Sequence, residues 1–523
     1  MNFPNAQSFG QVGGIGCFPL MILPRGSANP QQPFTGVEGY PVQYESMKAD
    51  RWRQSTSLPA AAGRISAVMA LIAGGLLRVW MLRKFYEVSF DAQLYGGMAK
   101  NLVLHGQYAI TDRSGVLHST LIRLPGYPLF LDLCFRILGM ENYWAAAMVQ
   151  IALALVGCAL LALFVRRIAP AGYKASAAQA TLWLACLCPF TAIYDASPLT
   201  ESLSLFCLSL ALWALARFHD QPGWSSALAF TFGVTYSAFL RPDGALVGLA
   251  LAIPVLHRLF AKEQNRHAPS RVGNHRIRLA LACLLLALAP FAVWTGRNWR
   301  VFHVLQPLAP RYATDPGEDT WPGYQRWVKT WCLDFVSTYQ VYWNVPGGPL
   351  DLAVLPSRAF DSPAQYDETA RLAAGYEDNG EQLSSGLDAG FAQLARQRIT
   401  DHPFRYYVIL PLGRVADMWF RPRVENLNID LDWWVYRHHH VETRFSWFYA
   451  GLNALYILLA GAGLLLRPRL WPWILAYLLL RSALLATIEA PEARYTIEGF
   501  PILCAWGGIA LGRLYARVRH PRF

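Results

Sequence analysis

Seven charged residues border long apolar runs that otherwise hold little charge: Asp91, Arg123, Glu201, Arg241, Asp243, Arg297 and Arg494. A carboxylate in such a place can take a proton from a hydroxyl within hydrogen-bond reach. An arginine can hold an anionic group through parallel N–H donors. Each also has a plainer reading. Asp91 falls in the first turn of a helical pattern, where Asp is a favoured cap, and Glu201 opens another, where the helix dipole favours a carboxylate. Arg241-Pro242-Asp243-Gly244 is a turn sequence on any reading, and Arg494 can snorkel to lipid headgroups. Arg481, midway through an apolar run, is costly in lipid and calls for a partner within the protein, such as Glu489 or Glu201.

The apolar runs decide where these residues stand. Hydrophobic residues make up 54% of the 523 positions and charged residues only 15%, against roughly 25% charged in soluble domains. Runs such as 145–165, 279–294 and 447–466 approach the roughly 20 residues that a helix needs to cross a hydrocarbon core of about 30 Å. Inside that core each segment must satisfy its own backbone, so helices are expected. The net charge of +12 does not point to nucleic acid, because Lys and Arg gather in short segments between the runs: Arg166, Arg167 and Lys174; 258–278; Arg467 and Arg469; 513–522. That excess marks a cytoplasmic side.

Ten spans follow: 65–83, 145–165, 175–194, 199–217, 224–240, 244–261, 279–296, 446–466, 471–489 and 498–512. The expected fold is an all-α integral membrane protein with about ten transmembrane helices. It lies in the plasma (inner) membrane with both termini cytoplasmic and two large outer loops carrying interfacial helices. Residues 1–60 form an N-terminal tail. Residues 61–300 form a transmembrane module including the outer loop 85–144. Residues 301–445 form a second outer region with an interfacial helix near 405–420, and 446–523 hold the last helices and a basic tail.

Within the first loop, Tyr95, Met98, Ala99 and Leu102 recur at helical spacing from Asp91, which predicts an amphipathic helix lying along the interface. A Pro/Gly turn at Arg123-Leu124-Pro125-Gly126-Tyr127-Pro128 then leads to a second apolar helix. The segment 405–420 carries Arg405, Pro411 and Arg414 and reads as lying at the interface. The aromatic run Trp321, Tyr324, Trp327, Trp331, Tyr339, Tyr342 and Trp343 fits a sugar-stacking surface or an interfacial belt equally well. His438, His439 and His440 are adjacent, so they cannot all face one ion, and a surface loop is expected. Cys158, Cys186, Cys188, Cys207, Cys283 and Cys504 read as small apolar fillers. The first 46 residues, rich in Gly, Pro, Gln and Asn, are expected to be dispensable, with Met47 a second candidate start.

Taken in order, these elements resemble the GT-C superfamily of membrane glycosyltransferases, in particular the bacterial branch of the protein O-mannosyltransferase and aminoarabinose-transferase families. The matching elements are Asp91 with Tyr95 and Ala99, Gly106 and Tyr108, and RLPGYPLFL at 123–131. To these are added Leu199-Thr200-Glu201, Arg241-Pro242-Asp243-Gly244, Arg297-Asn298, and Arg494-Tyr495 before the last span. The resemblance covers roughly 65–300 well and 446–515 loosely, whereas 310–400 matches nothing. Many relatives have a second acidic residue directly after the loop Asp; here that position is Ala92, which sets the chain apart from the eukaryotic-type enzymes.

The resemblance implies inverting transfer of a hexose or pentose from a polyprenyl-phosphate donor to a hydroxyl on the outer face. The acceptor would be a glycan, glycolipid or protein. It makes Asp91 the catalytic base and assigns Tyr95, Arg123, Tyr127, Glu201, Arg241, Asp243, Arg297, Arg494 and Tyr495 to substrate binding. No metal ligand is assigned, a divalent cation is left open, and no other cofactor is implied. The partners are the donor lipid, the acceptor and membrane lipids, not nucleic acid. A transporter or lipid-sugar flippase would have as many spans, but transporters commonly carry internal repeats and mid-membrane sites. No repeat is visible and the polar residues gather at one face, which favours the enzyme. A non-catalytic protein on the same scaffold is the third reading.

Overall fold

The apolar runs fold as helices throughout. A computed structural model describes residues 60–260, 271–427, 429, 430, 434 and 440–519; the expectations for the first 46 residues, and for His438 and His439, lie outside these. The chain begins with α1 (Ala60–Lys84), α2 (Phe90–His105), a hairpin of β1 (Ala109–Thr111) and β2 (Leu117–Ser119), and α3 (Gly126–Leu138). It continues through α4 (Tyr143–Ile168), α5 (Lys174–Cys186), α6 (Pro189–Asp195), α7 (Thr200–Asp220), α8 (Trp224–Leu240), α9 (Ala245–Phe260) and α10 (Arg271–Phe302). An intervening region holds α11 (Pro322–Lys329), α12 (Pro363–Asp378), α13 (Ser385–Asp401) and α14 (Leu410–Phe420); α15 (His440–Leu464), α16 (Trp471–Ala486) and α17 (Phe500–Arg519) complete the bundle.

All ten expected apolar segments are helical, but fewer are long enough to cross. Among the described residues seven helices suffice by length and apolarity, and a bent pair, α5 with α6, makes an eighth. With 17 and 16 residues, α8 and α16 reach only about 25 Å at 1.5 Å per residue. The expected span 175–194 is broken. Its first half stops at Cys186, and Pro189, which has no N–H to give, starts α6 on an axis bent by 55°.

Such a break strands backbone carbonyls inside the bundle, and Arg78 of α1 meets them. Its Nη1 donates to Cys186 O at 2.7 Å and its Nη2 to Ala185 O at 3.4 Å, while Nε reaches Asp195 Oδ2 at 2.9 Å. Ser202 Oγ donates to the other Asp195 oxygen at 2.9 Å. Arg78 is 1% exposed, so a charge inside the first span is matched by a carboxylate from α6. Against α5, α17 comes close through glycines: a Cβ on Gly508 would lie 2.0 Å from Thr181 Oγ1, and one on Gly512 2.5 Å from Ala177 Cα. Small residues let membrane helices approach in this way.

The two ends of the bundle differ. At one end Asp220 of α7 accepts from Arg167 Nη1 at 2.8 Å and pairs with Arg469 Nη2 at 2.6 Å. This joins the basic turns after α4 and α15. The opposite end gathers α2, α3, the start of α7, the α8–α9 turn and the segment 487–499. The expected pair of helices around a Pro/Gly turn is present as α2 and α3. The hairpin between them was not anticipated, since three-residue strands leave no readable periodicity. In the intervening region Tyr324, Trp327, Trp331, Tyr376 and Phe391 form a separate core. Three members of the aromatic run, Tyr324, Trp327 and Trp331, are therefore interior residues, neither belt nor sugar platform.

Candidate active site

Asp91 is not the cap of its helix. Ser89 takes that position, its Oγ accepting from Ala92 N at 3.4 Å. The Asp91 carboxylate is turned to two arginines from distant parts of the chain: Arg123 Nη2 lies 3.2 Å from Oδ1 and Arg494 Nη1 2.9 Å from Oδ2. Burial pushes the Asp91 carboxyl up, but the guanidiniums of Arg494 and Arg123 outweigh it and hold the group below the ordinary carboxylate value. Arg494 also binds Glu492 through Nε, and the Tyr495 hydroxyl donates to the other Glu492 oxygen. Burial pushes the Glu492 carboxyl up, against the lowering pull of Arg494.

A second group of ions stands behind the first. Arg241 Nη1 donates to Glu201 Oε1 at 2.7 Å, and its Nε reaches Asp243 Oδ1 at 3.2 Å and Glu498 Oε1 at 3.4 Å. Arg481 of α16 pairs with Asp243 Oδ2 at 2.9 Å and with Glu498 Oε2 at 2.7 Å. Its partners are thus Asp243 and Glu498, not the Glu489 or Glu201 suggested by sequence; Glu489 pairs instead with Arg311 and Lys329. Tyr495 separates the two groups. Arg241 and Arg494 lie 5.5 and 5.7 Å from its ring centre, and its backbone carbonyl accepts from Arg481 Nε at 2.9 Å and Nη2 at 2.7 Å.

Of the residues singled out in the sequence, Asp91, Arg123, Glu201, Arg241, Asp243, Arg494 and Tyr495 fall in this one assembly. Tyr95 packs edge-on against Tyr127 with centroids 5.2 Å apart. Tyr127 is buried, its hydroxyl donating to Gln150 Oε1 at 2.6 Å. It shapes the wall instead of offering a free donor. Gly126 lets this block seat on the end of α8: a Cβ there would lie 2.5 Å from Phe239 O. Arg297 stands apart. Its guanidinium holds the hairpin, donating to Thr120 O and Tyr108 O, each at 2.7 Å, and lies over the Tyr108, Trp294 and Phe302 rings. Sequence reasoning missed Glu492 and Glu498, which flank Arg494-Tyr495; acidic residues beside an apolar run were the available signal. Among the described residues no three His, Cys, Asp or Glu are grouped to hold a metal ion. Each carboxylate here is matched by a guanidinium, a set that does not fit a cation.

Residues 123–295 match the family model described as dolichyl-phosphate-mannose-protein mannosyltransferase. Over that stretch the chain is similar to this family. The matched stretch opens at Arg123 and includes Tyr127, Glu201, Arg241 and Asp243; Asp91, Arg481, Arg494 and Glu498 lie outside it. No curated protein matches the chain. Among solved structures it is similar to the archaeal oligosaccharyltransferase AglB from Archaeoglobus fulgidus, solved with an inhibitory peptide and a dolichol-phosphate. The identity is 12% and the TM-score 0.43, over 87% of this chain and 51% of that one. The chain thus spans about half the length of that protein.

Proposed function

We propose that this protein is an inverting glycosyltransferase of the outer face of the plasma membrane. It moves a hexose or pentose from a polyprenyl-phosphate carrier to an acceptor hydroxyl, with Asp91 as the base. The observation that carries the reading is the double clamp on Asp91, both of whose oxygens face guanidiniums at the partly open end of the bundle. Without substrate, Arg123 and Arg494 neutralise Asp91. A lipid phosphate competes for the same donors, and arginines suit it because they match its oxygens in pairs. As the arginines turn to the phosphate, Asp91 is freed and becomes more basic, since burial is then opposed by less positive charge.

The acceptor oxygen attacks the anomeric carbon while its proton passes to Asp91. The bond from that carbon to the phosphate oxygen breaks, and its electron pair leaves with the polyprenyl phosphate. The phosphate needs no proton, because the arginines meet its added charge. A groove of about 350 Å³ between α8 and α10, lined by residues including Phe232, Tyr236, Phe239, Leu286 and Pro290, supports the reading. It offers an apolar bed for an isoprenoid chain, and α8 runs from it to Arg241. The test is deletion of the gene and mass analysis of envelope glycans and glycolipids. One sugar should disappear, wild-type protein should restore it, and Asp91→Asn should not. Full restoration by Asp91→Asn overturns the assignment of the base.

A further inference from the structure

In the groups around Asp91 and Arg241, carboxylates are at least as many as guanidiniums. A third ion group, where the segment 487–499 begins, reverses that. Glu489 is its one carboxylate: Arg311 Nη2 donates to Oε1, and Lys329 Nζ stands 3.7 Å from the same oxygen. Lys329 Nζ also donates to Thr487 O. Arg414, at 0% exposure, donates Nε to Cys332 O at 2.8 Å and Nη2 to Lys329 O. Among the described residues no carboxylate lies within ion-pair distance of Arg414, so three cations share one carboxylate. Burial pushes the Lys329 ammonium below its ordinary value; Glu489 opposes this, and Arg414 and Arg311 add to it. The side chain of Arg311 is 65% exposed and that of Lys329 17%, so an anion from outside can reach both.

The group lies at the end of a span. Thr487 directly follows α16, and α14, which carries Arg414, is fixed to α16 by Trp419 Nε1 donating to Ser482 Oγ at 3.1 Å. On α14 and the turn before it, Phe404, Val408, Leu412 and Phe420 fall at multiples of four residues and all stay exposed, a stripe suited to acyl chains. The positive excess also stands at the end of the bundle away from Arg166, Arg167, Arg467 and Arg469, where membrane topology does not ask for it.

We infer that Arg311 and Lys329 bind the phosphate of an anionic membrane-lipid headgroup, in competition with Glu489 and with the charge of Arg414 added to theirs. A saccharide or a peptide hydroxyl would leave the excess charge unmatched. An anion free in water would gain nothing from the apolar stripe of α14, whereas a lipid meets both. The site needs no transfer chemistry, so it stands apart from the reading of Asp91. When it is occupied, Glu489 loses two cations on the same segment that carries Glu492 and Arg494.

The test uses full-length protein in discs of phosphatidylcholine in which phosphatidylglycerol replaces a rising fraction of the lipid. The readout is the thermal unfolding midpoint, which a lipid held by the folded state raises. Phosphatidylglycerol should raise the midpoint of the wild type. Arg311→Gln with Lys329→Gln should lose most of that rise, whatever its own midpoint in phosphatidylcholine alone. Glu489→Gln removes the competitor, so it should reach half of the rise at a roughly two- to fivefold lower phosphatidylglycerol fraction, the worth of a partly exposed ion pair. No rise in the wild type, or a full rise in the Arg311 and Lys329 variant, overturns the site. So does a Glu489→Gln protein that is merely less stable, with its half-point unmoved, since that marks a structural ion pair. If Arg517→Gln with Arg519→Gln removes the whole rise, the lipid acts at the basic end and the site falls. An equal rise from inorganic phosphate in phosphatidylcholine discs also overturns it, by marking a site for a free anion.

Discussion

The two ion groups on either side of Tyr495 are built from the same residue types but differ in access to water. In the front group the side chains of Asp91, Arg123 and Arg494 are 23%, 26% and 24% exposed. Glu492 behind Arg494 is at 4%, while in the rear group Glu201, Arg481 and Glu498 are at 2%, 0% and 2% and Arg241 and Asp243 at 15%. A charge that must meet a substrate can stay solvated until the substrate arrives. A charge that fixes geometry has to be dry throughout, and its desolvation is offset only if every partner stays in place. The rear group links the start of α7, the α8–α9 turn, α16 and the segment before α17, four pieces that no local interaction would align. We therefore assign the front group to chemistry and the rear group to holding the frame.

The largest test of that division is Asp91→Asn. It should cut transfer by about 10²–10⁴-fold, the usual loss with a general base. Protein yield should hold, because Ser89 caps the helix. Normal transfer would reduce the front group to an ordinary surface ion pair. Next is Arg481→Met, which leaves Asp243 and Glu498 to share the single guanidinium of Arg241. It should cost ~3–5 kcal/mol, read as a fall in unfolding midpoint and membrane yield. Arg123→Gln should cost no more than about 1 kcal/mol while raising the donor KM. Equal losses of stability from the two would erase the distinction.

A smaller effect is expected in pH dependence. Asp91 must be ionised to act, and its arginines hold it below the ordinary carboxylate value, so the acid limb of kcat/KM should lie below that of a free carboxylate. Its stabilising contribution is likewise present at neutral pH and lost only as pH falls through the depressed value. Arg494→Gln should move the acid limb upward, since burial is then opposed by Arg123 alone; a downward or absent shift would deny the electrostatic coupling. The smallest effect is that of Ser89→Ala, about 0.5–2 kcal/mol of stability with no change in the acid limb.

Much of the frame was legible because it is written locally. The helical spans show as apolar runs, and Arg166, Arg167, Arg467 and Arg469 mark one end by sequence alone. The break at Pro189 was passed over because apolar residues continue on both sides, although the proline itself was visible. What failed to show was pairing over distance. Asp91 meets Arg494 across 403 residues, and Arg481 meets Asp243 across 238, separations at which periodicity carries no information. The order of motifs nevertheless named most members of both groups, as a set whose partners were unknown. Arg297 was named with them because an Arg near a span end looks the same whether it awaits a phosphate or supports a hairpin. The intervening region was least legible, since its core aromatics and its exposed ones look alike in sequence.

Arg78 bears on how the chain is made as well as on how it holds together. Its carboxylate partner, Asp195, lies 117 residues later, so at about 5–20 residues per second the ribosome needs roughly 6–23 s to supply it. During that interval the first helix carries a bare charge that costs about 2.5–3.5 kcal/mol at mid-helix depth. The nascent helix has reason to sit shallow, its arginine near the headgroups, and to settle only when the broken hairpin of α5 and α6 brings in the acid and the open carbonyls together. The break then acts as a late docking point, and α1, made well before α6, is among the last helices to reach its final depth.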